Sequence, residues 1–549
     1  MRPRFSKTEV AGLTWFTLLF ALAIGISNGE INQAVYLLDG LRIADPGFLE
    51  GDWYVQEVSH IHRFYSAIVA LIALSGLLEV GLGFVALMQP AVLAVATYLG
   101  MKALYDRPLL PWAIAMMLFA TLGTRGLGLG YLLVPNFEAS SFAGTAAVVG
   151  FAFIAWSRPL GAGVAWGLAA LMHGHYAVLL TPIVAGTVVV CLLRRSPVPV
   201  TRLAIPFLLL ALPNLLLALR YAFAPGGVES ANINLIVYPF HHLPWTEGKE
   251  PFARFGAALL LGAGGLVLAK PRVRLLLGAP IVLLAFFVLG SLAVARSTGL
   301  GIVIQIWPWR LSALLILFGF VSGGAALVAQ TRPWGRWEAA AGFSSILLGA
   351  AILTRYMYAE LAVASLAAWV IPLALSTSEE LTARYPRGRV LLGAIPFAVV
   401  TLGFLPSLHI GLSKTHMDLR PHDSRREALY EWARTQTARQ STFAVPVEWD
   451  DFRLIARRPV LVDWKGIPGY PPDRLEWKER ILTITGRRVL PTGNEAIDSY
   501  ASLDCERARR LRNQYDVRYI IMKRDARLGC GSVAFEDSWY IALDMQEPQ

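Results

Sequence analysis

The chain has few charged residues and few cysteines for its length of 549 residues. Only 16% of the residues are charged, whereas about a quarter would be charged in a soluble protein of this size. Three cysteines are too few for a framework of disulfides. A Gly-rich phosphate loop, a nucleophile elbow and an HExxH motif are also missing. The sequence therefore gives no support to a disulfide-stapled fold or to nucleotide hydrolysis.

Long apolar runs fill the sequence instead, with 55% hydrophobic residues and a mean hydropathy of +0.52. A run of about 20 apolar residues is enough to cross a bilayer. A further run at 62–78 contains polar residues and is expected to be an interfacial helix. The chain is therefore predicted to be an α-helical polytopic membrane protein with about 13 transmembrane helices. The predicted spans are 10–28, 82–104, 110–126, 139–156, 160–172, 175–193, 203–222, 254–270, 274–295, 310–330, 337–354, 359–376 and 389–408.

Charged residues are concentrated in the C-terminal quarter of the chain, where 409–549 contains 23 Lys or Arg and 21 Asp or Glu. This composition predicts two parts, a transmembrane bundle over 1–408 and a small soluble α/β domain over 409–549, which we call the tail. Periodicity predicts the elements of the tail. The expected helices are 424–437, 473–484 and 504–515, and the expected strands are 442–447, 460–464, 517–523 and 539–543.

The net charge of +11 comes mostly from short loops between apolar runs, so it indicates membrane topology rather than binding of nucleic acid. The basic loops predict a cytoplasmic N-terminus. The first loop (29–60), the loop at 223–253 and the tail then share the opposite face. We expect a multi-pass protein of the bacterial inner membrane with a periplasmic tail. The oxidising periplasm permits a disulfide between Cys505 and Cys530 but does not require one.

The first loop contains six carboxylates between residues 29 and 57. Glu30 follows the first span directly, where partial desolvation would let a carboxylate accept a proton from a bound hydroxyl. A solvated residue at a helix end is the alternative interpretation. Asp52 competes for the same role and stands beside Trp53, which suits either a sugar-binding rim or an interfacial belt. Glu30 and Asp52 are the candidate catalytic residues.

Basic and imidazole side chains near span ends are the candidate ligands for the substrate. Arg310, in IWPWRLS, and Arg125, in GTRGLG, could hold a phosphate through two hydrogen bonds, although single arginines also extend to lipid headgroups. His173 and His175 lie at one turn, and His242 follows His241 in another loop. Their spacing is a weak metal signal, so phosphate binding or packing is expected. No metal ligand is assigned, and a divalent metal is left open.

In the order of these features the chain resembles the GT-C superfamily of membrane glycosyltransferases, which combine a large helical bundle, an acidic first outer loop and a soluble C-terminal domain. The segments REALYEWARTQT, FRLIARRPVLVDWKGIP, LEWKERI and YDVRYIIMKRD further resemble a group of uncharacterised bacterial membrane proteins allied to that superfamily. Many family members have two adjacent acidic residues soon after the first span. In this chain Glu30 is flanked by Gly29 and Ile31 and has no adjacent acid.

The resemblance implies transfer of a sugar from a polyprenyl-phosphate donor in the lipid bilayer to a glycan, lipid or protein acceptor on the outer face. Glu30 would be the base, Asp52 an alternative base or a metal-linked carboxylate, and Arg310 the phosphate holder. Two other hypotheses stay open. A transporter or flippase would need ionisable groups deep inside the spans, and a non-catalytic envelope-assembly protein would bind a partner through the tail.

Overall fold

The computed structural model describes residues 5–546 apart from 31, 106–107, 123–124, 194–198, 249, 269–270, 299–300, 330–393 and 527. The expected spans 337–354 and 359–376, and the start of 389–408, therefore lie outside the described residues. The expected fold class is confirmed in the part that is described, because a helical bundle precedes a small α/β domain.

The bundle consists of apolar helices, and six of those described are long and apolar enough to cross a membrane. His173 ends one helix and separates it from the next. The expected last span is divided at Phe404 into two helices, each with a proline in its first turn. The bundle helices are Lys7–Ile24, Leu78–Leu104, Leu109–Leu122, Ala139–Ala155, Pro159–Met172, Gly174–Leu193, Val200–Ala222, Glu250–Leu268, Pro271–Thr298, Ser312–Ala329, Ile395–Gly403 and Leu405–Ser413.

The first loop contains two short helices, Gln33–Ala44 and Trp53–Gln56, and a third helix, Arg63–Leu74, follows it. The last of these covers most of the ambiguous run at 62–78, and it is a helix of 12 residues that ends before the next span begins. The loop at 223–248 forms the short helices Gly227–Val237 and Pro239–His242.

The tail contains a four-stranded sheet in the order β1-β2-β4-β3. Strand β1 (Thr442–Ala444) is parallel to β2 (Val517–Lys523), whereas β4 (Tyr540–Asp544) is antiparallel to β2 and to β3 (Ser532–Glu536). The helices of the tail are Glu427–Gln436, Phe452–Ala456, Pro471–Thr485, Gly493–Ala501 and Cys505–Tyr515. A disulfide joins Cys505 to Cys530, with 5.9 Å between the Cα atoms.

One expected strand of the tail, 460–464, was wrong. Val460 forms an isolated parallel bridge to Phe443, made by hydrogen bonds of Pro459 and Leu461, and its own backbone N–H, on the side away from β1, donates to the carboxylate of Asp52. The helix Gly493–Ala501 and strand β3 were not predicted. Strand β3 is an exposed edge strand without the alternating burial that would reveal it in the sequence.

The first loop, the loop at 223–248 and the tail contact one another at one end of the bundle, which we call the tail-side end. The backbone N–H of Ser59 donates to Asp473 at 2.8 Å. Arg474 donates to the hydroxyl of Ser230 at 2.9 Å, and Lys478 is paired with Glu229 at 2.6 Å. Candidate site residues from distant parts of the sequence are therefore brought together here.

Candidate functional site

A buried carboxylate lies at the centre of the tail-side end. Glu138 is fully buried, and its Oε1 accepts hydrogen bonds from the Asn32 amide at 2.6 Å and from the Ser140 hydroxyl at 2.9 Å. The Asn32 amide also donates to the Tyr131 hydroxyl at 3.0 Å. The other carboxylate oxygen of Glu138 is buried and has no hydrogen-bond partner among the residues that the structure describes. Buried polar atoms are rarely left unpaired, so this oxygen indicates a place for a polar ligand or water.

Arg310 is positioned beside this carboxylate by a glycine-rich loop. The loop 126–130 packs directly on the backbone of 307–313, and a Cβ at Gly130 would lie 2.9 Å from the Cα of Arg310. Gly128 has a φ of +63°, and a Cβ there would lie 2.6 Å from the Trp309 ring. The backbone N–H of Leu127 donates to the Ser312 hydroxyl at 2.7 Å. The glycines of GTRGLGLG therefore permit the close approach that fixes Arg310.

The Arg310 guanidinium contributes positive charge to this region. Its Nε is buried and has no hydrogen-bond partner within the described part of the chain, and the guanidinium carbon lies 5.4 Å from the centre of the Trp307 ring. Burial raises the pKa of Glu138, whereas the hydrogen bonds from Asn32 and Ser140 and the charges of Arg310 and Lys465 oppose that rise. An unpaired guanidinium N–H is a suitable donor for a phosphate oxygen.

Histidine side chains from three segments of the chain lie against Trp307 or against one another. The ring centroids of His62 and His173 are 4.6 Å apart, and His175 is stacked on Trp307 at 5.1 Å. His241 lies 4.7 Å from the same indole. We call Asn32, Tyr131, Glu138, Trp307, Arg310 and these histidines, with His242, the polar cluster. It contains four of the expected substrate-binding residues: His173, His175, His242 and Arg310.

The protonation of the two adjacent histidines follows from their contacts. Nδ1 of His242 lies 2.7 Å from the Trp307 indole nitrogen and 3.1 Å from the carbonyl oxygen of Ile304. Nδ1 of His241 lies 2.8 Å from the carbonyl of Gly128, to which it donates. Burial lowers the pKa of His241 to about 3. Burial also lowers the pKa of His242, to about 4. Burial therefore favours the neutral form of both rings, which provide polar contacts.

Glu30 lies two residues before Asn32 in the chain, near the end of the first span. Its side chain is half exposed, and its carboxylate is 3.2 Å from Nε2 of His416. An isolated parallel bridge between Ser27 and His416 joins the ends of the first and last described spans and brings the two side chains together. The Asn136 amide donates to the backbone carbonyl of Glu30 at 2.9 Å. Glu30 is therefore held where the first and last described spans meet, and its side chain is half exposed.

Asp52 has a different environment, in which both of its oxygens already accept hydrogen bonds. One oxygen caps the helix Trp53–Gln56 by accepting from the backbone of Val55 at 3.0 Å. The other accepts from Arg453 at 2.7 Å and from the backbone of Val460 at 2.8 Å. Asp52 is 1% exposed, so it lies in a buried ion pair between the first loop and the tail.

Arg125 adjoins the polar cluster through its backbone, which forms an isolated antiparallel bridge with Tyr131, whereas Trp53 has other neighbours. Trp53 packs between the cores of the bundle and the tail, with the guanidinium of Arg480 4.4 Å from its ring. Arg125 is exposed, and its charge acts on Glu247. Of these two expected binding residues, Arg125 therefore lies at the edge of the polar cluster with an exposed side chain, and Trp53 lies in the packing between the bundle and the tail.

One group of side chains among the described residues has a spacing that suits a metal ion: His422, Asp450 and Asp451. Their lone pairs and protons are already used. Nδ1 of His422 lies 3.3 Å from Asp450, and its Nε2 lies 3.2 Å from the carbonyl of Gly29. Asp451 accepts from the Tyr430 hydroxyl at 2.8 Å. The hydrogen bond to Asp450 raises the pKa of His422 to about 9, which favours a protonated imidazole beside these two carboxylates.

Sequence reasoning missed Glu138, Asn32, Tyr131, Trp307 and His62 as site residues. Glu138 follows VPNF and shows no pattern that distinguishes it from an ordinary helix-capping acid. The usable signal was the glycine density of GTRGLGLG, which indicates that another backbone approaches closely. That signal would have directed attention to the residues that follow this loop.

Comparisons with known proteins add a family match and two similar structures. A model of a domain of unknown function, DUF6798, matches residues 425–484, which carry three of the four tail segments quoted above. The comparison with curated proteins found no match. The chain is similar to ArnT from Cupriavidus metallidurans bound to undecaprenyl phosphate, with 15% identity, a TM-score of 0.45 and 99% of each chain covered.

The chain is also similar to the same ArnT in the apo state, with 16% identity and a TM-score of 0.47, over 99% of this chain and 98% of that one. Because the identities are 15% and 16% and the TM-scores 0.45 and 0.47, these two matches carry no statement about the activity of this chain.

Proposed function

We propose that the protein is a membrane glycosyltransferase that moves a sugar from a polyprenyl-phosphate donor to an acceptor at the outer face. The observation that carries the proposal is the polar cluster, in which an unpaired guanidinium N–H of Arg310 lies near an unpaired carboxylate oxygen of Glu138. Phosphate and sugar hydroxyls provide the acceptor and donor groups that these two atoms lack. The layout that resembles GT-C enzymes supports the same class.

The proposed step is a direct displacement at the anomeric carbon. The bond from this carbon to the phosphate oxygen breaks, and Arg310 stabilises the negative charge that develops on the leaving phosphate. The acceptor hydroxyl attacks from the opposite face and loses its proton to Glu30, which an acceptor can reach because the side chain is half exposed. The unpaired oxygen of Glu138 accepts a hydrogen bond from a sugar hydroxyl. The configuration is inverted.

Asp52 has no part in this step. Its oxygens are occupied by Arg453 and by backbone N–H groups, so a bound hydroxyl would have to displace a buried ion pair. The location of the charged groups also favours chemistry over transport. Glu138 caps the start of one helix, and Arg310 precedes another, so both lie at helix ends rather than in the middle of a span.

The variant Glu30→Gln tests the proposal, with Glu57→Gln as a matched control because Glu57 is an exposed acid of the same loop. Loss of a general base typically costs a factor of about 10² to 10⁴ in rate. We expect Glu30→Gln, at normal membrane abundance, to cause a sugar-linked polyprenyl phosphate to accumulate in lipid extracts measured by mass spectrometry, whereas Glu57→Gln leaves the extracts unchanged.

A Glu30→Gln strain with lipids like those of the wild type would remove Glu30 from the mechanism. If a strain lacking the whole protein accumulated no such lipid either, the transferase proposal itself would be refuted.

A further inference from the structure

A loop of the tail, 463–466, is held rigidly next to the polar cluster. Arg453 is 2% exposed and forms ion pairs with both Asp52 and Asp463. The Trp477 indole donates to the carbonyl of Asp463 at 2.9 Å, and the backbone N–H of Trp464 donates to Val447 at 2.7 Å. These bonds fix the backbone on the N-terminal side of Lys465.

The backbone at Lys465 is linked to the polar cluster through Tyr238. The Tyr238 hydroxyl donates to the carbonyls of Trp464 at 3.4 Å and Lys465 at 3.5 Å. The Tyr238 ring lies 5.5 Å from His241, which belongs to the polar cluster. The charge of Lys465 lowers the pKa of both Glu138 and His241. Within the described part of the chain, its ammonium is not used in an ion pair.

We propose that Lys465, supplied by the tail, is the second cation of the polar cluster and binds the phosphate group of the ligand together with Arg310. This inference rests on the proposed function. A sugar-linked polyprenyl phosphate is a diester with one negative charge, whereas the polyprenyl phosphate that leaves is a monoester with up to two. A second cation matches the charge that appears when the bond to the sugar breaks.

The inference also gives the buried ion pairs a positioning role. Asp52 of the first loop holds Arg453, Arg453 holds Asp463, and Asp463 lies two residues before Lys465. The first loop and the tail thus together position the Lys465 ammonium at the polar cluster. Asp52, although outside the reacting groups, would affect catalysis through Lys465.

Binding measurements on the full chain in lipid nanodiscs test the inference, with a polyprenyl monophosphate and inorganic phosphate as the two probes. We expect Lys465→Met to weaken the binding of both probes about tenfold, because a charge-assisted hydrogen bond is lost. Lys465→Arg should keep most of the affinity. Lys478→Met is the matched control, since Lys478 also links the tail to the bundle but pairs with Glu229 at the surface. It should bind like the wild type.

Wild-type affinity in Lys465→Met, together with weak binding in Arg310→Met, would overturn the inference and leave the proposed function intact. A loss for the lipid probe without a loss for inorganic phosphate would also overturn it, because Lys465 would then act on the polyprenyl chain or its entry. A folded wild-type protein that binds neither probe would refute the proposed function together with the inference.

Discussion

The buried ion pairs of Arg453 allow a quantitative prediction about the joint between the first loop and the tail. The side chains of Arg453, Asp52 and Asp463 are at most 2% exposed. Arg453→Met would leave two carboxylates buried without a counter-charge. Breaking a buried ion pair by removing one partner costs about 3–5 kcal/mol, whereas a surface pair contributes about 0–1 kcal/mol. Arg453→Met should therefore lower the free energy of opening of the tail by about 3–5 kcal/mol, the cost of breaking a buried pair.

Hydrogen exchange of strand β2, followed by mass spectrometry on the full-length protein, measures this opening free energy. A loss of about 3–5 kcal/mol corresponds to exchange that is faster by at least about two orders of magnitude. Arg434→Met is the matched control, because Arg434 pairs with Glu431 on the surface of the same domain. Equal exchange rates in Arg453→Met and Arg434→Met would refute the idea that this ion network holds the tail.

Two further predictions concern His422 and Gly130. Asp450 raises the pKa of His422 to about 9, whereas the pKa of a histidine in an unfolded chain is about 6.5. The protonated His422 therefore contributes its full stabilisation below about pH 6.5, and this contribution is lost as the pH rises through about 9. Denaturation of the tail at several pH values should show this loss, and His422→Gln should remove it; an unchanged pH profile would contradict it. Gly130→Ala should displace Arg310 and weaken polyprenyl phosphate binding at least tenfold, whereas Gly227→Ala, where a Cβ meets nothing within 4 Å, should not. Equal affinities in these two glycine variants would contradict the packing argument.

Much of the architecture was predictable because it depends on patterns that are local in sequence. Apolar runs gave the described bundle helices, and the tail helices at 473–484 and 504–515 were close to the observed Pro471–Thr485 and Cys505–Tyr515. The prediction was wrong at 460–464. There the backbone N–H of Val460, on the side away from β1, donates to Asp52 of the first loop rather than to a further strand. No local pattern contains that information.

The candidate site was harder to predict because its contacts join distant segments. Asn32 reaches Glu138 across 106 residues, and Asp52 reaches Arg453 across 401. The types of residue were informative, since Arg310 and three of the expected histidines do lie together. Their partners were not predictable, because a carboxylate near an aromatic residue has the same appearance in a sequence whether it binds a sugar or a buried arginine.

Hydrogen-bond occupancy separates these two roles for the acids of the tail-side end. Asp52 accepts three hydrogen bonds and is balanced by a buried guanidinium, so its charge serves the fold. Glu138 is as deeply buried, yet one of its oxygens is unpaired. Burial of an unpaired polar atom costs about 1–3 kcal/mol, and a ligand that supplies a donor would recover that cost. Glu30 has only a histidine partner and is half exposed, so a proton from an incoming hydroxyl can reach it. The three carboxylates therefore divide into one that joins the tail to the bundle, one that awaits a ligand and one that is open to an acceptor.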